Sequence, residues 1–128
     1  MFKKIFLFIL VCLILSQTPF CSDRNRAKWR LYRKKIDFTA ENFITHCARG
    51  DEPIVTLFLK AGMKPDTPDE NGKTALLTMV QADKCSTEVL RMLLKNKAHP
   101  NQTDEQGNTP LYLAASKGRT AVCKVLMT

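Results

Sequence analysis

The chain has 128 residues, of which 45% are hydrophobic and 25% are charged, so it can hold at most one modest globular domain. Lysine and arginine outnumber aspartate and glutamate by 20 to 12, but nine of the 20 cations lie in the first 37 residues, beside only two carboxylates. The rest of the chain has a net charge of only +1. The basic character therefore belongs to the N-terminal part, and it gives no reason to expect a nucleic-acid-binding domain.

The first 21 residues have the layout of a secretory signal peptide. Lys3 and Lys4 precede an uncharged apolar run over residues 5–15, and polar residues and Pro19 follow it. The run is shorter than the roughly 20 residues that cross a bilayer comfortably. We therefore expect residues 1–21 to be a signal peptide and the protein to be exported, either secreted or, in a bacterium, periplasmic.

Two alternatives for this leader stay open. The only small-x-small pattern, at residues 16–18, is followed directly by Pro19, which would hinder a signal peptidase. Residues 5–20 could instead remain as a membrane anchor, or Cys21 could be lipidated.

Export would also allow a disulfide among Cys21, Cys47, Cys85 and Cys123, whose spacing selects no pairing. We expect Cys47 and Cys123 to be small core residues.

Residues 22–37 form a basic segment, with seven cations set around Trp29 and Leu31. Residues 22–36 could attract an anionic membrane surface, because each cation near such a surface contributes about 1 kcal/mol. We favour a solvated linker, or a short helix that covers the end of a repeat array with Trp29 and Leu31, because such arrays need polar-faced caps.

Helix start and stop signals alternate through the rest of the chain. Asp37 or Thr39 can cap a helix that runs to about residue 48, and Pro53 opens a second helix that ends at Gly62. Residues 63–72 then predict a projecting loop that closes on an Asn-Gly turn.

The same order of signals recurs twice. A second pair of helices is predicted at about 75–82 and 87–96, with Val89, Leu90, Met92, Leu93 and Leu94 packed inward, before a second loop at 98–107. Thr109 and Pro110 suit the N-cap and first position of a third helix, which Gly118 ends. A last helix is predicted from about residue 120 onward. The period is 35 residues from Thr74 to Thr109.

This repeat resembles the ankyrin repeat, whose Thr-Pro-Leu-His-x-Ala signature is matched at residues 109–114 in all but the histidine. The family's Asp-x-x-Gly-x-Thr pattern stands at residues 69–74 and 104–109. The resemblance implies an all-α ankyrin-repeat solenoid of stacked helix-turn-helix units with projecting β-hairpin-like loops. It covers residues 38–128, as repeats at 38–72 and 73–107 and an incomplete one at 108–128.

Several departures from the family pattern predict local differences. Leu77 and Tyr112 replace the histidine that ties the turn to the helix, and Lys97 stands where a glycine would end a helix. A two-residue insertion falls near residues 82–86. The third repeat also lacks a following unit, so we expect an uncovered apolar face made by Leu111, Val122, Leu126 and Met127.

The resemblance implies a non-enzymatic protein that binds another protein through its loop tips and concave helix face. Neither the residues nor the resemblance indicates a catalytic group, a cofactor, a metal site or a small-molecule substrate. The alternative is a protein held at a membrane by its leader and basic segment, with the repeats as scaffold. The candidate partner-binding residues are Pro68, Asp69, Glu70, Thr78, Gln102, Thr103, Asp104, Glu105, Tyr112 and Ser116.

Overall fold

The computed structural model describes residues 23–128, and it contains seven helices in that range. Every predicted helix is present within one or two residues of its expected bounds. The helices are α1 (Asp23–Arg33), α2 (Ala40–Arg49), α3 (Glu52–Lys60), α4 (Ala75–Gln81), α5 (Thr87–Lys95), α6 (Pro110–Ser116) and α7 (Thr120–Leu126). The leader and Cys21 lie outside the described residues.

The helices stack in two rows. Helices α2, α4 and α6 pack in order as an inner row, and α1, α3, α5 and α7 pack in order as an outer row. Each repeat joins one helix from each row, as α2 with α3, α4 with α5, and α6 with α7. Residues 23–128 form no β-strand, and none of their helices is long and apolar enough to cross a membrane. The all-α solenoid prediction is confirmed.

Side-chain caps begin three of the helices, and two of these caps, Thr39 and Thr109, are the residues that the sequence suggests. The hydroxyls of Thr39, Ser86 and Thr109 accept the backbone N–H groups three residues ahead, at distances of 3.3, 3.4 and 3.2 Å. Thr74 differs, because its hydroxyl oxygen is buried with no hydrogen-bond partner among the described residues. Leu77, in place of the family's histidine, offers that hydroxyl no partner.

The core lies between the two rows and runs through the repeats without a break. Phe43 and Phe58 are fully buried, with ring centroids 5.6 Å apart, and they join the two helices of the first repeat. Leu76, Leu90 and Leu93 occupy the middle repeat at 1% exposure or less. Burying a side chain of this size stabilises the fold by about 1.5–3 kcal/mol.

The basic segment continues the outer row, because α1 packs against α3. Leu31 and Ala27 are buried, so α1 does cover α3 with an apolar face. Trp29 is only half-buried, and the Arg33 guanidinium lies over its ring at 5.0 Å from the centroid. Of the two interpretations of this segment, the structure shows the helix and not the linker.

Two predictions about apolar side chains are wrong in part. Met92 and Leu94 pack against the core but are only half-buried, whereas Val89, Leu90 and Leu93 are fully buried. At the end of the stack, Val122 is buried at 4% exposure, because it lies in the contact of α7 with α5 and α6.

The other residues of the predicted apolar face differ in exposure. Leu126 is half-buried, whereas Leu111 is 39% and Met127 is 67% exposed. Leu76, the residue equivalent to Leu111 in the middle repeat, is 1% exposed. Of the four residues of the predicted apolar face, Leu111 and Met127 are therefore exposed, so the face is narrower than the sequence suggests.

A basic link joins the second and third repeats at the two-residue insertion. The Arg119 guanidinium donates to the carbonyl oxygens of Val80, at 3.2 Å, and Ala82. The Lys117 ammonium donates to the carbonyl of Gln81. These donors supply partners to carbonyls at the end of α4, which would otherwise lack them.

Lys97 adopts the left-handed conformation, with φ of 68°, as its place in the repeat predicts. The equivalent residue of the first repeat is Gly62, with φ of 98°. A residue with a Cβ pays about 1–2 kcal/mol to enter this region, whereas glycine enters it freely. The second repeat therefore ends its outer helix in a strained conformation.

Lys97→Gly should raise the free energy of unfolding by about 0.5–1 kcal/mol, because relief of this strain exceeds the extra chain entropy of glycine. Lys95→Gly is the matched control, since it removes the same side chain from the last turn of α5, where φ is helical, and should destabilise by up to about 1 kcal/mol. Urea unfolding of both variants measures the difference. A Lys97→Gly variant less stable than the wild-type protein would contradict the strain.

Candidate functional site

The two projecting loops, residues 63–72 and 98–107, end in turns of the same design, each organised by one aspartate. Asp69 Oδ1 accepts the N–H groups of Asn71 at 2.8 Å and Lys73 at 2.9 Å. In the second loop, Asp104 Oδ1 accepts the N–H groups of Gln106 at 2.9 Å and Asn108 at 2.8 Å. Such side-chain to backbone bonds define a single turn conformation. Both predicted carboxylates thus shape their loops before they meet any partner.

The turns are further closed by backbone hydrogen bonds. The Asp69 N–H donates to the Lys73 carbonyl at 2.9 Å, and the Asp104 N–H donates to the Asn108 carbonyl at 3.0 Å. The hairpin-like loops of the sequence prediction are therefore hydrogen-bonded turns that pair across their ends without forming strands.

An open groove lies between the two turns. Its volume is about 430 Å³. It brings together three predicted site residues, Thr103, Asp104 and Glu105, with residues of the neighbouring turn and of α4; the full lining is Asn71, Gly72, Lys73, Leu77, Gln81, Thr103, Asp104, Glu105 and Gln106. Charges of both signs and amide groups thus surround one concave surface, which suits a polar protein segment better than an apolar ligand.

The charge on Asp104 is fixed by its own turn. The backbone N–H of Asn108 is the main group that lowers the pKa of the Asp104 carboxyl, against a smaller opposing effect of partial desolvation. The Asn108 side-chain amide and the Gln106 N–H lower the pKa further. This carboxylate therefore stays ionised at the edge of the groove well into the acid range.

The remaining predicted site residues lie outside the groove lining. Pro68 and Glu70 are exposed beside the first turn, and Gln102 is half-buried below the second. The Thr78 hydroxyl donates to the Thr74 carbonyl at 3.0 Å, so it is used within α4.

On α6, two predicted site residues are exposed. The Ser116 hydroxyl donates to the Leu113 carbonyl at 2.9 Å, so it too is used within its own helix. Tyr112 is 61% exposed and occupies the position of Leu77 one repeat further along the inner row. Tyr112 is therefore the free aromatic side chain that continues the groove side of the stack.

One contact between the loops is absent from the sequence prediction. Asp66 accepts the backbone N–H of His99 at 3.0 Å, and the His99 ring Nδ1 lies 2.5 Å from Asp66 Oδ2. The two residues are 33 positions apart, so no local pattern reveals their contact. The pair ties the base of the first loop to the base of the second.

The cysteines form no site among the described residues. Cys47, Cys85 and Cys123 are free thiols, so the disulfides considered among these three are not formed. Cys47 is fully buried as predicted, and burial raises the pKa of its thiol to about 12, whereas Cys123 is only half-buried. The ring Nδ1 of His46, the residue before Cys47, lies 2.7 Å from Asp51 Oδ2. Residues 23–128 contain no group of three or more metal-ligating side chains.

Because the folded-state pKa of Asp104 lies below the ordinary value of 3.8, its ionised form stabilises the fold above that pH, and this stabilisation is lost as the pH falls through the lowered pKa. Asp104→Asn keeps the acceptor oxygen but removes the charge. The free energy of unfolding in urea should therefore fall less between pH 7 and pH 3 for the variant than for the wild-type protein.

Glu105→Gln is the control for the Asp104 variant, because it removes an equal charge from a neighbouring side chain without touching the turn. Its pH dependence should follow that of the wild-type protein. An Asp104→Asn variant with the wild-type pH dependence would contradict the role of the carboxylate in the turn.

Comparison with known proteins bears on both the fold and the site. The family model for ankyrin repeats matches three copies over residues 43–128. Protein phosphatase 1 regulatory subunit 27 of Mus musculus is 30% identical over 109 residues, which cover 84% of this chain and 70% of that protein. An ankyrin repeat and KH domain-containing protein of Caenorhabditis briggsae is 37% identical over 84 residues, or 62% of this chain and 3% of its own length.

A solved structure agrees with the sequence matches. The crystal structure of EF0377, an ankyrin repeat protein, superposes with a TM-score of 0.63 at 25% identity, over 68% of this chain and 46% of that one. An ankyrin repeat and MYND domain-containing protein of Mus musculus is 36% identical over 64 residues, which cover 48% of this chain. The chain spans less than a tenth of the length of this protein and of the Caenorhabditis relative. The region that the family model matches, residues 43–128, contains both turns, the groove and all seven candidate loop residues. The chain belongs to the ankyrin-repeat family.

Proposed function

We propose that the protein is a non-enzymatic module that binds one segment of a partner protein in the groove between its two loop turns. The observation that carries this proposal is the groove itself, in which Lys73 and Glu105 face a common space from adjacent repeats. Protein phosphatase 1 regulatory subunit 27, which aligns with 84% of this chain at 30% identity, is by its name a regulatory subunit. By analogy, we propose that this chain acts on another protein by binding it.

The turns favour binding because they are already ordered. Asp69 and Asp104 hold their loops through two or more hydrogen bonds each, and the Asp66–His99 pair holds the loops to one another. A partner therefore does not have to order these loops, and less of the interaction free energy is lost on association. Exposed Tyr112 supplies the type of aromatic anchor that often dominates an interface.

Export remains part of the proposal, and its support is the order of charges and apolar residues in the leader. We propose that residues 1–21 direct the protein out of the cytoplasm and are then removed. Mass spectrometry of the N-terminus of the protein from its own cells tests this, and the first residue found should lie near Ser22. An intact N-terminus in a membrane fraction would contradict removal.

The second candidate is a protein held at a membrane by residues 5–20 and by the basic segment, residues 22–36, with the repeats as scaffold. Exposed cations on α1, such as Arg24 and Arg30, favour it. The aliphatic residues of α1, Ala27 and Leu31, are buried against the stack, whereas Tyr32 is 50% exposed. Contact of α1 with a bilayer would therefore rest on its cations and on the Tyr32 ring.

Site-specific photo-crosslinking in the source cells tests the binding site directly. A photoreactive amino acid at Gln106, in the groove, should capture the same partner protein repeatedly, whereas one at Arg91, exposed on α5 in the outer row, should not. Tyr112→Ala should reduce capture from the groove position about tenfold, because exposed aromatic anchors typically contribute that much. Capture from the outer row alone would contradict the proposed site.

A further inference from the structure

A basic trough lies along the junction of α1 with α3, on the outer row. Its volume is about 590 Å³. Arg30, Arg33 and Lys34 come from the α1 side and Lys60 from α3; the remaining lining residues are Pro53, Thr56 and Leu57. A second, smaller concavity shares Arg30, Leu57 and Lys60 and adds Arg26. The two form one surface with cations on both sides.

These cations are not neutralised within the described part of the chain. Arg30, Arg33, Lys34 and Lys60 are all exposed, and no carboxylate of residues 23–128 lies within 4 Å of their side-chain nitrogens. Among residues 23–128, the only carboxylate that lines either concavity is Asp23, whose oxygen lies 4.0 Å from the Arg26 guanidinium. Four like charges held around one concavity repel one another unless an anion lies between them.

We propose that this trough binds an extended, acidic segment of a partner protein. Helix α1 has 11 residues and is therefore about 16 Å long, which matches about five residues of an extended chain. Carboxylates spaced along such a segment reach cations on both walls, and its backbone and small side chains lie over Leu57 and Pro53. The guanidinium group of arginine favours carboxylates in particular, because it can donate two parallel hydrogen bonds to one carboxylate.

The shape of the surface favours a peptide over a membrane. A flat bilayer touches only the rims of a concave surface, so it cannot reach between the walls formed by α1 and α3. The aliphatic residues of α1, Ala27 and Leu31, are already buried in the stack, and Tyr32, which is 50% exposed, does not line the trough. A segment of a single chain can enter the trough and contact both walls at once.

The trough shares no residue with the groove between the loop turns and lies on the other row of helices. This inference therefore goes beyond the proposed function. The protein can hold two partners, or two segments of one partner, at the same time. Loss of binding at either surface leaves the other surface intact, so the two proposals fail independently.

Fluorescence anisotropy of the full chain with a labelled octapeptide of alternating glutamate and alanine tests the trough. Saturable binding is expected, and it should weaken as salt shortens the screening length. The trough variant Arg30→Gln/Arg33→Gln/Lys34→Gln/Lys60→Gln should bind at least about tenfold more weakly, because charge pairs across an interface carry this recognition. A peptide of alternating lysine and alanine should not bind.

A control variant removes equal charge elsewhere. Lys64→Gln/Arg91→Gln/Lys95→Gln/Lys124→Gln alters four exposed cations outside the trough and should keep the affinity within about twofold. Equal loss in both variants would show that net charge alone attracts the peptide, and would overturn the proposal. Thermal unfolding of each variant should stay close to that of the wild-type protein, since all eight side chains are exposed and only the Arg33–Trp29 contact is lost. If the trough variant unfolds at a lower temperature, its single substitutions are tested in its place.

Two further results would also overturn the proposal. One is the absence of saturable binding below about 1 mM peptide. The other is binding to phosphatidylserine vesicles, above that to phosphatidylcholine vesicles, which the trough variant loses while the peptide does not compete. That result would assign the cations to a membrane instead. Tyr112→Ala should leave peptide binding unchanged, which separates this site from the groove.

Discussion

Contact between successive repeats is the constraint on which the whole structure depends. A pair of helices of seven to ten residues cannot bury its own apolar surface, so each pair is stable only against its neighbours. The middle repeat has a neighbour on each side, and Leu76, Leu90 and Leu93 are at most 1% exposed. In the third repeat, Leu111 has the same place as Leu76 but is 39% exposed. Equivalent side chains are therefore more buried in a repeat with two neighbours than in a repeat with one.

The same contacts build the candidate site. Neither loop forms the groove alone, because Lys73 comes from one turn and Glu105 from the next. The Asp66–His99 pair and the stacking of α2, α4 and α6 hold the two turns side by side. On the outer row, the packing of α1 against α3 likewise brings Arg33 and Lys60 to one trough. Both surfaces are products of stacking, and they differ in charge because the basic segment extends only the outer row.

The features that the sequence predicts are those that depend on residues close together in the chain. Thr39 and Thr109 cap their helices, and Lys97 adopts a left-handed conformation, because such local conformations follow from one residue and its immediate neighbours. The repeat period then predicts the solenoid, since each unit repeats the same helix start and stop signals. The aspartate turns follow from the same reasoning.

The features that the sequence does not predict depend on contacts between repeats. The bond from Arg119 to the carbonyl of Ala82 spans 37 residues, so no local pattern reveals it. Val122 is buried through the placing of α7 against α5 and α6, which a single repeat does not reveal. The groove and the trough were equally hidden, because their walls come from separate elements. The sequence places candidate residues on the loops, but which of them share one surface depends on the stack.

Native-state hydrogen exchange of the full chain tests the claim that neighbour contacts grade the stability of the stack. Backbone amides of α4 and α5 in the middle repeat should be the best protected, and those of α6 and α7 should exchange at least about tenfold faster, because one side of the third repeat is uncovered. Equal protection of the three repeats, or slower exchange in α6 and α7, would contradict this account.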